Sequence, residues 1–312
     1  MNEIWEKIKE YDTITIFGHV IPDGDCYGST LGMKYAILDN FENKKVYVLG
    51  SGWPKYFELM GGMDQVDDEI IKNSLALVLD VANVERVEDQ RFLLAKEIIK
   101  IDHHIPQGEF PSSITLVQTQ KIATCQIVSE LIIDNGLILS ERASTPLFLG
   151  LVTDSGRFMY QPIDYRAYEI AGELAKSGAK IGEIYDILYE VDEKSLRVKG
   201  YIFSNYKKTE NGVIYLTFDK ETLHKLGIDY NQGASMVNTL SNIKGYPIWV
   251  FFAEADNGMV RVEFRSKGVP VQPTAVQFGG GGHAQAAGCK LDNLEDHKYV
   301  VKALDDVLKN RK

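Results

Sequence analysis

Short apolar runs alternate with longer stretches of helical period through the first half of the chain, the pattern of successive strand–helix units on a mostly parallel sheet. The runs place strands at Thr13–Phe17, Lys45–Leu49, Leu75–Leu79, residues 98–101 and Ile114–Val117. Helical spacing fills residues 27–39, 123–134, 141–151 and 164–176. A charged helical stretch, 191–206, reads as a connection, and the texture changes after it. Val213–Phe218 and residues 246–253 and 259–264 read as strands of a second sheet, with helices over 235–243 and 294–308. The expected fold class is α/β: a mostly parallel-sheet domain over 1–190, a helical linker over 191–206, and a smaller C-terminal α/β domain over 207–312, with the active site in the cleft between domains.

Chemistry-bearing residues fall at the ends of these strands. His19-Val-Ile-Pro-Asp23-Gly-Asp25 follows the first, Asp80 the third, and Asp102-His103-His104 the fourth. That is the edge where ligands bind in open α/β sheets. A further aspartate, Asp154, ends the apolar helical pattern leading into Gly150-Leu-Val-Thr-Asp-Ser-Gly-Arg-Phe158. Imidazoles among carboxylates suit Mn, Mg, Fe or Zn. The plainer alternative for the first cluster is a polar loop in which Asp25 caps the next helix.

Composition narrows the classes. The 312 residues are 45% hydrophobic, enough for two moderate cores. Lys and Arg number 34 against 44 Asp and Glu, a net charge of −10, so no overall field attracts long nucleic acid. A small anionic substrate stays open if cations concentrate positive charge locally. Cys26, Cys125 and Cys289 form no C-x-x-C pair, which fits a reducing compartment, and Cys26 reads as a small buried residue. No apolar run reaches the roughly 18 residues of a membrane span, and the N-terminus lacks signal-peptide character. A cytoplasmic protein with no membrane partner is expected.

In order and spacing, His19-x-x-x-Asp23-x-Asp25, Asp80, Asp102-His103-His104 and Thr153-Asp154-Ser-Gly-Arg-Phe158 resemble the four motifs of the DHH phosphoesterase superfamily. Phe264-Arg265-Ser266 and Gly279-Gly-Gly-Gly-His283-Ala-Gln-Ala-Ala-Gly288 resemble the signatures of the DHH-associated C-terminal domain. Length and architecture are similar to the nanoRNases that also act on pAp. One departure is Glu263, where relatives often carry Ser; it touches a hydroxyl contact near the substrate and leaves the metal chemistry alone.

The resemblance implies two-metal phosphoryl transfer, with Asp80 bridging, His19 and Asp23 on one cation, and Asp25, His103 and Asp154 on the other. Two divalent cations are expected, Mn2+ ahead of zinc, which more often recruits thiolates. His104 is assigned to phosphate contact and general acid catalysis; the alternative is a hydrogen-bonding residue behind the ligands.

Consecutive glycines let backbone N–H groups turn toward an anion, and the residues after them can start a helix whose dipole helps. The bland reading is a flexible tight turn. Arg265 and His283 favour a phosphate cradle, with Ser266, Gly280, Gly281 and Gly282 completing the substrate contacts. His224 and His297 lack such company.

The expected function is hydrolysis of short oligoribonucleotides to mononucleotides and removal of the 3′-phosphate of pAp, with no long duplex as partner and a homodimer left open. Alternatives are a linear or cyclic dinucleotide phosphodiesterase, a manganese inorganic pyrophosphatase, or a non-catalytic nucleotide-binding protein.

Overall fold

The apolar runs of the first half assemble into one parallel sheet, in the computed structural model that describes residues 2–51, 56–159 and 163–311. Its strands are β1 (Thr13–Phe17), β2 (Lys45–Leu49), β3 (Leu75–Leu79), β4 (Glu97–Asp102) and β5 (Ile114–Val117), in the order β2-β1-β3-β4-β5. Strand β3, Leu-Ala-Leu-Val-Leu, is buried throughout, as a run without polar residues requires when both faces are covered. Leu75, Leu77 and Leu79 join Ile14 and Ile16 under the helices Gly24–Asn40, Thr124–Ile133 and Glu141–Asp154, which bury Leu31, Ile127 and Leu147. Ala76 and Val78 face the other way, with Phe17, Phe92 and Ile98. The crossovers from β1 to β2 and from β2 to β3 run in opposite directions, so a crevice opens at the carboxyl ends of β1 and β3.

Local chemistry fixes where the first long helix begins. Asp23, not Asp25, is its N-cap: Asp23 Oδ1 accepts from the amides of Asp25 at 3.0 Å and Cys26 at 3.1 Å. The alternative in which Asp25 caps this helix is therefore set aside, and its carboxylate is released for other partners. This helix lies very close to Glu141–Asp154 because glycines face each other. A Cβ on Gly28 would sit 2.3 Å from the Pro146 carbonyl oxygen, and one on Gly150 would sit 2.8 Å from Asp25 Oδ1. Helices Asn2–Glu10 and Ile181–Tyr189 lie outside the sequence expectation. The first buries Ile4, Trp5 and Ile8, and Trp5 Nε1 donates to the Leu131 carbonyl at 2.9 Å.

Contacts divide the chain into Met1–Glu190 and Val191–Lys312. The second unit holds a mixed sheet in the order β10-β11-β9-β8-β7-β6, with β6 at Lys207–Lys208, β7 at Val213–Phe218, β8 at Ile248–Glu254, β9 at Val260–Ser266, β10 at Gly281–His283 and β11 at Ala286–Leu291. Helix His297–Lys309 covers one face through Val300, Val301 and Leu304. Helix Glu193–Asn205, within the stretch read as a connection, buries Val198 and Ile202 on the other.

Two expectations here are corrected. Instead of one helix over 235–243, a capping box at Asp229 starts a short helix at Tyr230–Ser235, followed by a 3-10 turn at Met236–Leu240. No helix follows the glycine run. Ala287, Cys289 and Leu291 are buried at every second position, a strand period, and β11 pairs with both β9 and β10. Among the described residues no helix is long and apolar enough to cross a membrane.

Candidate metal centre

Three strand ends and one helix end deliver seven side chains to the crevice of the first unit. Asp80 is central. It follows β3 in the left-handed region, φ 61°, a conformation that aspartate tolerates better than most side chains. Its two oxygens face different imidazoles: Oδ2 lies 3.5 Å from His19 Nε2, and Oδ1 lies 3.6 Å from His103 Nε2. Asp23 Oδ1 stands 3.7 Å from His19 Nε2. Asp25 Oδ2 and Asp154 Oδ2 stand 3.8 and 3.3 Å from His103 Nε2. The residues expected to act together, His19, Asp23, Asp25, Asp80, His103, His104 and Asp154, are thus brought together.

Each imidazole is held from behind. His19 Nδ1 lies 2.9 Å from the Val20 carbonyl oxygen, and His103 Nδ1 lies 3.2 Å from that of Lys121. Both Nδ1 atoms donate there, which turns the Nε2 atoms toward the carboxylates. Against burial, which would lower it, hydrogen bonds to Asp23 and Asp80 raise the His19 pKa, and a cation would replace the Nε2 proton. His104 differs. Its Nδ1 is 2.8 Å from Asp102 Oδ1, which also accepts from the His104 amide at 3.1 Å. The Asp102 hydrogen bond, working against burial, raises the His104 pKa.

Thr124 was missed by the sequence reading. Its amide and that of Cys125 donate to Asp25 Oδ2 and Oδ1 at 2.6 and 2.9 Å, and its hydroxyl donates to Asp80 Oδ1 at 2.9 Å. A helix N-terminus thus grips one carboxylate while its first side chain steadies another. A hydroxyl residue opening an apolar helical run was the available signal. Asp102, seen only as part of a motif, proves to be the anchor of His104.

Electrostatics point to missing positive charge. Burial, then repulsion from Asp80 and Asp154, pushes the Asp25 carboxyl well above its usual range. Burial, then Asp80 and Asp23, pushes Asp154 up to about 7. Among the described residues no Lys or Arg pairs with Asp23, Asp25, Asp80 or Asp154, so the buried carboxylates of Asp25 and Asp80, the half-buried Asp154 and the exposed Asp23 crowd together with imidazoles as their only charged partners. This donor set fits divalent cations: ligand atoms of His19, Cys26 and Asp80, of Asp80, His103 and His104, and of Asp25, His103 and Asp154 lie within 4.8 Å of one another in each group.

The remaining candidates lie in the second unit. The ladders put His283 opposite Ala286 and Ala286 opposite Arg265, so the imidazole and the guanidinium share one row across three strands. Arg265 Nη1 donates to Glu263 Oε2 at 3.0 Å and to the Phe264 carbonyl at 2.8 Å. Ser266 is buried, and its hydroxyl donates to the Val269 carbonyl. Gly281 and Gly288 lie in the row of Glu263, and Gly280 packs where a Cβ would meet the Gly288 carbonyl oxygen at 2.0 Å. A cavity of about 570 Å³ opens beside them, lined by Arg261, Glu263, Gly279, Gly280 and Lys290, with Tyr230 at its edge.

A parallel sheet with His and Asp at its strand ends, joined to a second mixed-sheet unit, defines a class: this chain belongs to the DHH family of phosphoesterases. The DHH family N-terminal domain matches residues 13–152 and the DHHA1 domain matches residues 210–310. The chain is 32% identical to the bifunctional oligoribonuclease and PAP phosphatase NrnA of Bacillus subtilis, over 98% of each chain. It is 35% identical to the protein of that name in Mycoplasma genitalium, over 96% of this chain and 95% of the other. An exopolyphosphatase-related protein from Bacteroides fragilis has a similar structure, with a TM-score of 0.83 and 28% identity, covering 99% of this chain and 97% of that one.

Proposed function

We propose that the chain hydrolyses short oligoribonucleotides to mononucleotides and dephosphorylates pAp at a centre holding two divalent cations. The observation carrying this reading is the Asp80 carboxylate, whose two oxygens address two separate imidazole–carboxylate groups. Family membership and the names of relatives matched over nearly their full length support the substrate class. His19 and Asp23 would hold one cation, Asp25, His103 and Asp154 the other, and Asp80 both; hard oxygens with imidazole suit manganese, and burial pushes the neighbouring Cys26 thiol up to about 11, which keeps it protonated at neutral pH in the cation-free protein. When bound, the pair supplies charge neutralisation at the phosphate and a nucleophile at neutral pH.

This chain's own residues supply the rest. With Nδ1–H held by Asp102, His104 keeps a second proton on Nε2, where it can pass to the leaving oxygen. Arg265, His283 and the amides of Gly281 and Gly282 would take a phosphate that does not react; the Gly280 amide is spent on the Ala275 carbonyl at 2.8 Å and shapes the turn instead, and Ser266 would hold the turn behind Arg265. With net charge −10, little attracts a long backbone, so substrates of a few nucleotides are favoured over long or duplex RNA.

A substrate panel with Mn2+ tests the reading: pAp, pApA, a pentaribonucleotide, a cyclic dinucleotide and pyrophosphate. Turnover of pAp and the short RNAs is expected. Turnover confined to the cyclic dinucleotide or to pyrophosphate would overturn it. His104→Asn should lower kcat about a hundredfold while leaving Mn2+ affinity near that of the parent. If His104→Asn instead loses a cation and His103→Asn keeps both, the two roles are reversed.

Cation binding should also stabilise the fold in a pH-dependent way. The folded-state pKa of Asp154 is raised to about 7 from an ordinary value near 3.8. Its contribution to stability is therefore complete at low pH and is lost as pH rises through about 7 in the cation-free protein. Mn2+ converts that repulsion to attraction. Thermal unfolding at pH 8 should shift upward strongly with Mn2+, and at pH 5 only slightly; equal shifts would remove Asp154 from the cation set.

A further inference from the structure

Glu263 stands where the family pattern favours a small hydroxyl residue, and it sits between two guanidinium groups. Its Oε1 accepts from Arg261 Nε at 3.0 Å and Nη2 at 2.7 Å, and its Oε2 accepts from Arg265 Nη1 at 3.0 Å. Arg261 Nη1 is taken by Asn231 Oδ1 at 2.7 Å, so all of its nitrogens are engaged. Arg265 spends only Nη1, on Glu263 and the Phe264 carbonyl. Its Nε and Nη2 have no protein partner among the described hydrogen bonds. The triad is ordered by strand alternation: 261, 263 and 265 all project from one face of β9, opposite Lys290, Gly288 and Ala286 of β11. Gly288, and Gly281 beyond it, put no side chain over Glu263, and the carboxylate borders the open cavity of about 570 Å³.

We propose that Glu263 sets the charge selectivity of this anion site, holding Arg265 in place while penalising a ligand that brings a second negative charge. Resting on the phosphate-binding role given to Arg265 above, this narrows the advantage that a doubly charged terminal monoester, as in pAp, would otherwise hold over a singly charged phosphodiester, as in the interior of an oligonucleotide. The physics is short-range. Arg261 and Glu263 offset each other, leaving the Arg265 fork and the outlying Lys290 to meet the ligand. A monoester dianion gains a second attraction to Arg265 but also a second repulsion from a carboxylate one hydrogen bond away from that fork. A diester monoanion takes the two free N–H directions with half of that repulsion. Serine at 263 would leave two unopposed guanidiniums, a site suited to a dianion. Glu263 is a positioning and selectivity residue, and it touches no reacting atom.

The test needs no turnover. Equilibrium binding of AMP, a dianion at pH 8, and of its 5′-methyl ester, a monoanion of nearly the same shape, is measured on the full chain and on Glu263→Gln and Glu263→Ser. Both variants should tighten AMP about tenfold more than the methyl ester, because only the AMP loses the extra repulsion. Glu263→Gln keeps an oxygen for Arg261 and the side-chain shape, and so guards against a packing explanation. Equal changes for the two ligands, in either direction, would reduce Glu263 to scaffolding and overturn the proposal. So would wild-type binding that already favours AMP by the ratio seen in Glu263→Ser. Turnover of pAp and pApA by the wild type is measured alongside: normal turnover without charge discrimination sinks this inference alone, whereas absent turnover on the whole panel sinks the functional reading whatever the binding ratio.

Discussion

Replacing Asp80 by Ala is expected to lower turnover of pAp and dinucleotides by more than about a hundredfold while far-ultraviolet circular dichroism stays unchanged. The carboxylate is the one group facing both His19 and His103, at 3.5 and 3.6 Å, so its loss weakens both proposed cation positions together. Removing a ligand shared by two cations should cost several kcal/mol of transition-state stabilisation, and each 1.4 kcal/mol is about tenfold in rate. Alanine adds a separate difficulty, since residue 80 has φ 61° and alanine tolerates that region less well than aspartate. Asp80→Asn separates the effects: it keeps tolerance of that conformation and the Thr124 hydroxyl contact and removes only the charge. Both variants should lose cation affinity by calorimetric titration. Activity above about a hundredth of the parent in Asp80→Asn would strip Asp80 of its bridging role.

Gly28→Ala should be the most damaging single-methyl change in the first unit. The added carbon would lie 2.3 Å from the Pro146 carbonyl oxygen, 3.1 Å from the Gly150 nitrogen and 3.0 Å from Cys125 Sγ. Two of these are backbone atoms that cannot rotate away, so helices Gly24–Asn40 and Glu141–Asp154 must separate. Overpacking of this kind costs about 1–3 kcal/mol or more, which for a unit of this size lowers Tm by roughly 2–12 °C. Because these two helices carry Asp25 and Asp154, cation affinity should fall with stability. Gly172→Ala is the matched control: it lies mid-helix with nothing within 4 Å of the new carbon and should stabilise slightly. A Gly28→Ala protein as stable as the parent would show that the close approach is not required.

The parallel sheet was legible because its strands are buried on both faces, and unbroken apolar runs such as Leu75–Leu79 have few other solutions in a chain this long. The candidate ligands were legible because His19, Asp23, Asp25, Asp80 and His103 follow those runs and Asp154 closes an apolar helix. What escaped was set by tertiary partners. Thr124 matters through Asp25 and Asp80, distant in sequence; its place at the opening of an apolar helical run hints at a cap but not at those partners. Helix Asn2–Glu10 is too short and too charged for its three apolar residues to stand out. The glycine run misled for a related reason: Ala-Gln-Ala-Ala has good helical propensity, yet pairing of β11 with Phe264 and its neighbours overrides it. The cap fell to Asp23 and not to Asp25, as the plainer reading of this loop had it, because both are strong caps two residues apart and only the backbone path decides between them.

The grip of helix Thr124–Ile133 on Asp25 has a consequence for how the protein is made. The hydrogen bonds from the Thr124 and Cys125 amides join residues 99 and 100 positions apart. During synthesis the His19–Asp25 loop leaves the ribosome long before the amides that hold its buried carboxylate, and closing so large a loop is slow compared with forming local turns. A nascent chain stalled short of residue 124 should therefore be unable to capture divalent cations in competent form, and loading should begin only when Glu141–Asp154 has emerged. Cation acquisition would then be a late checkpoint on biogenesis, reporting that the whole first unit has folded.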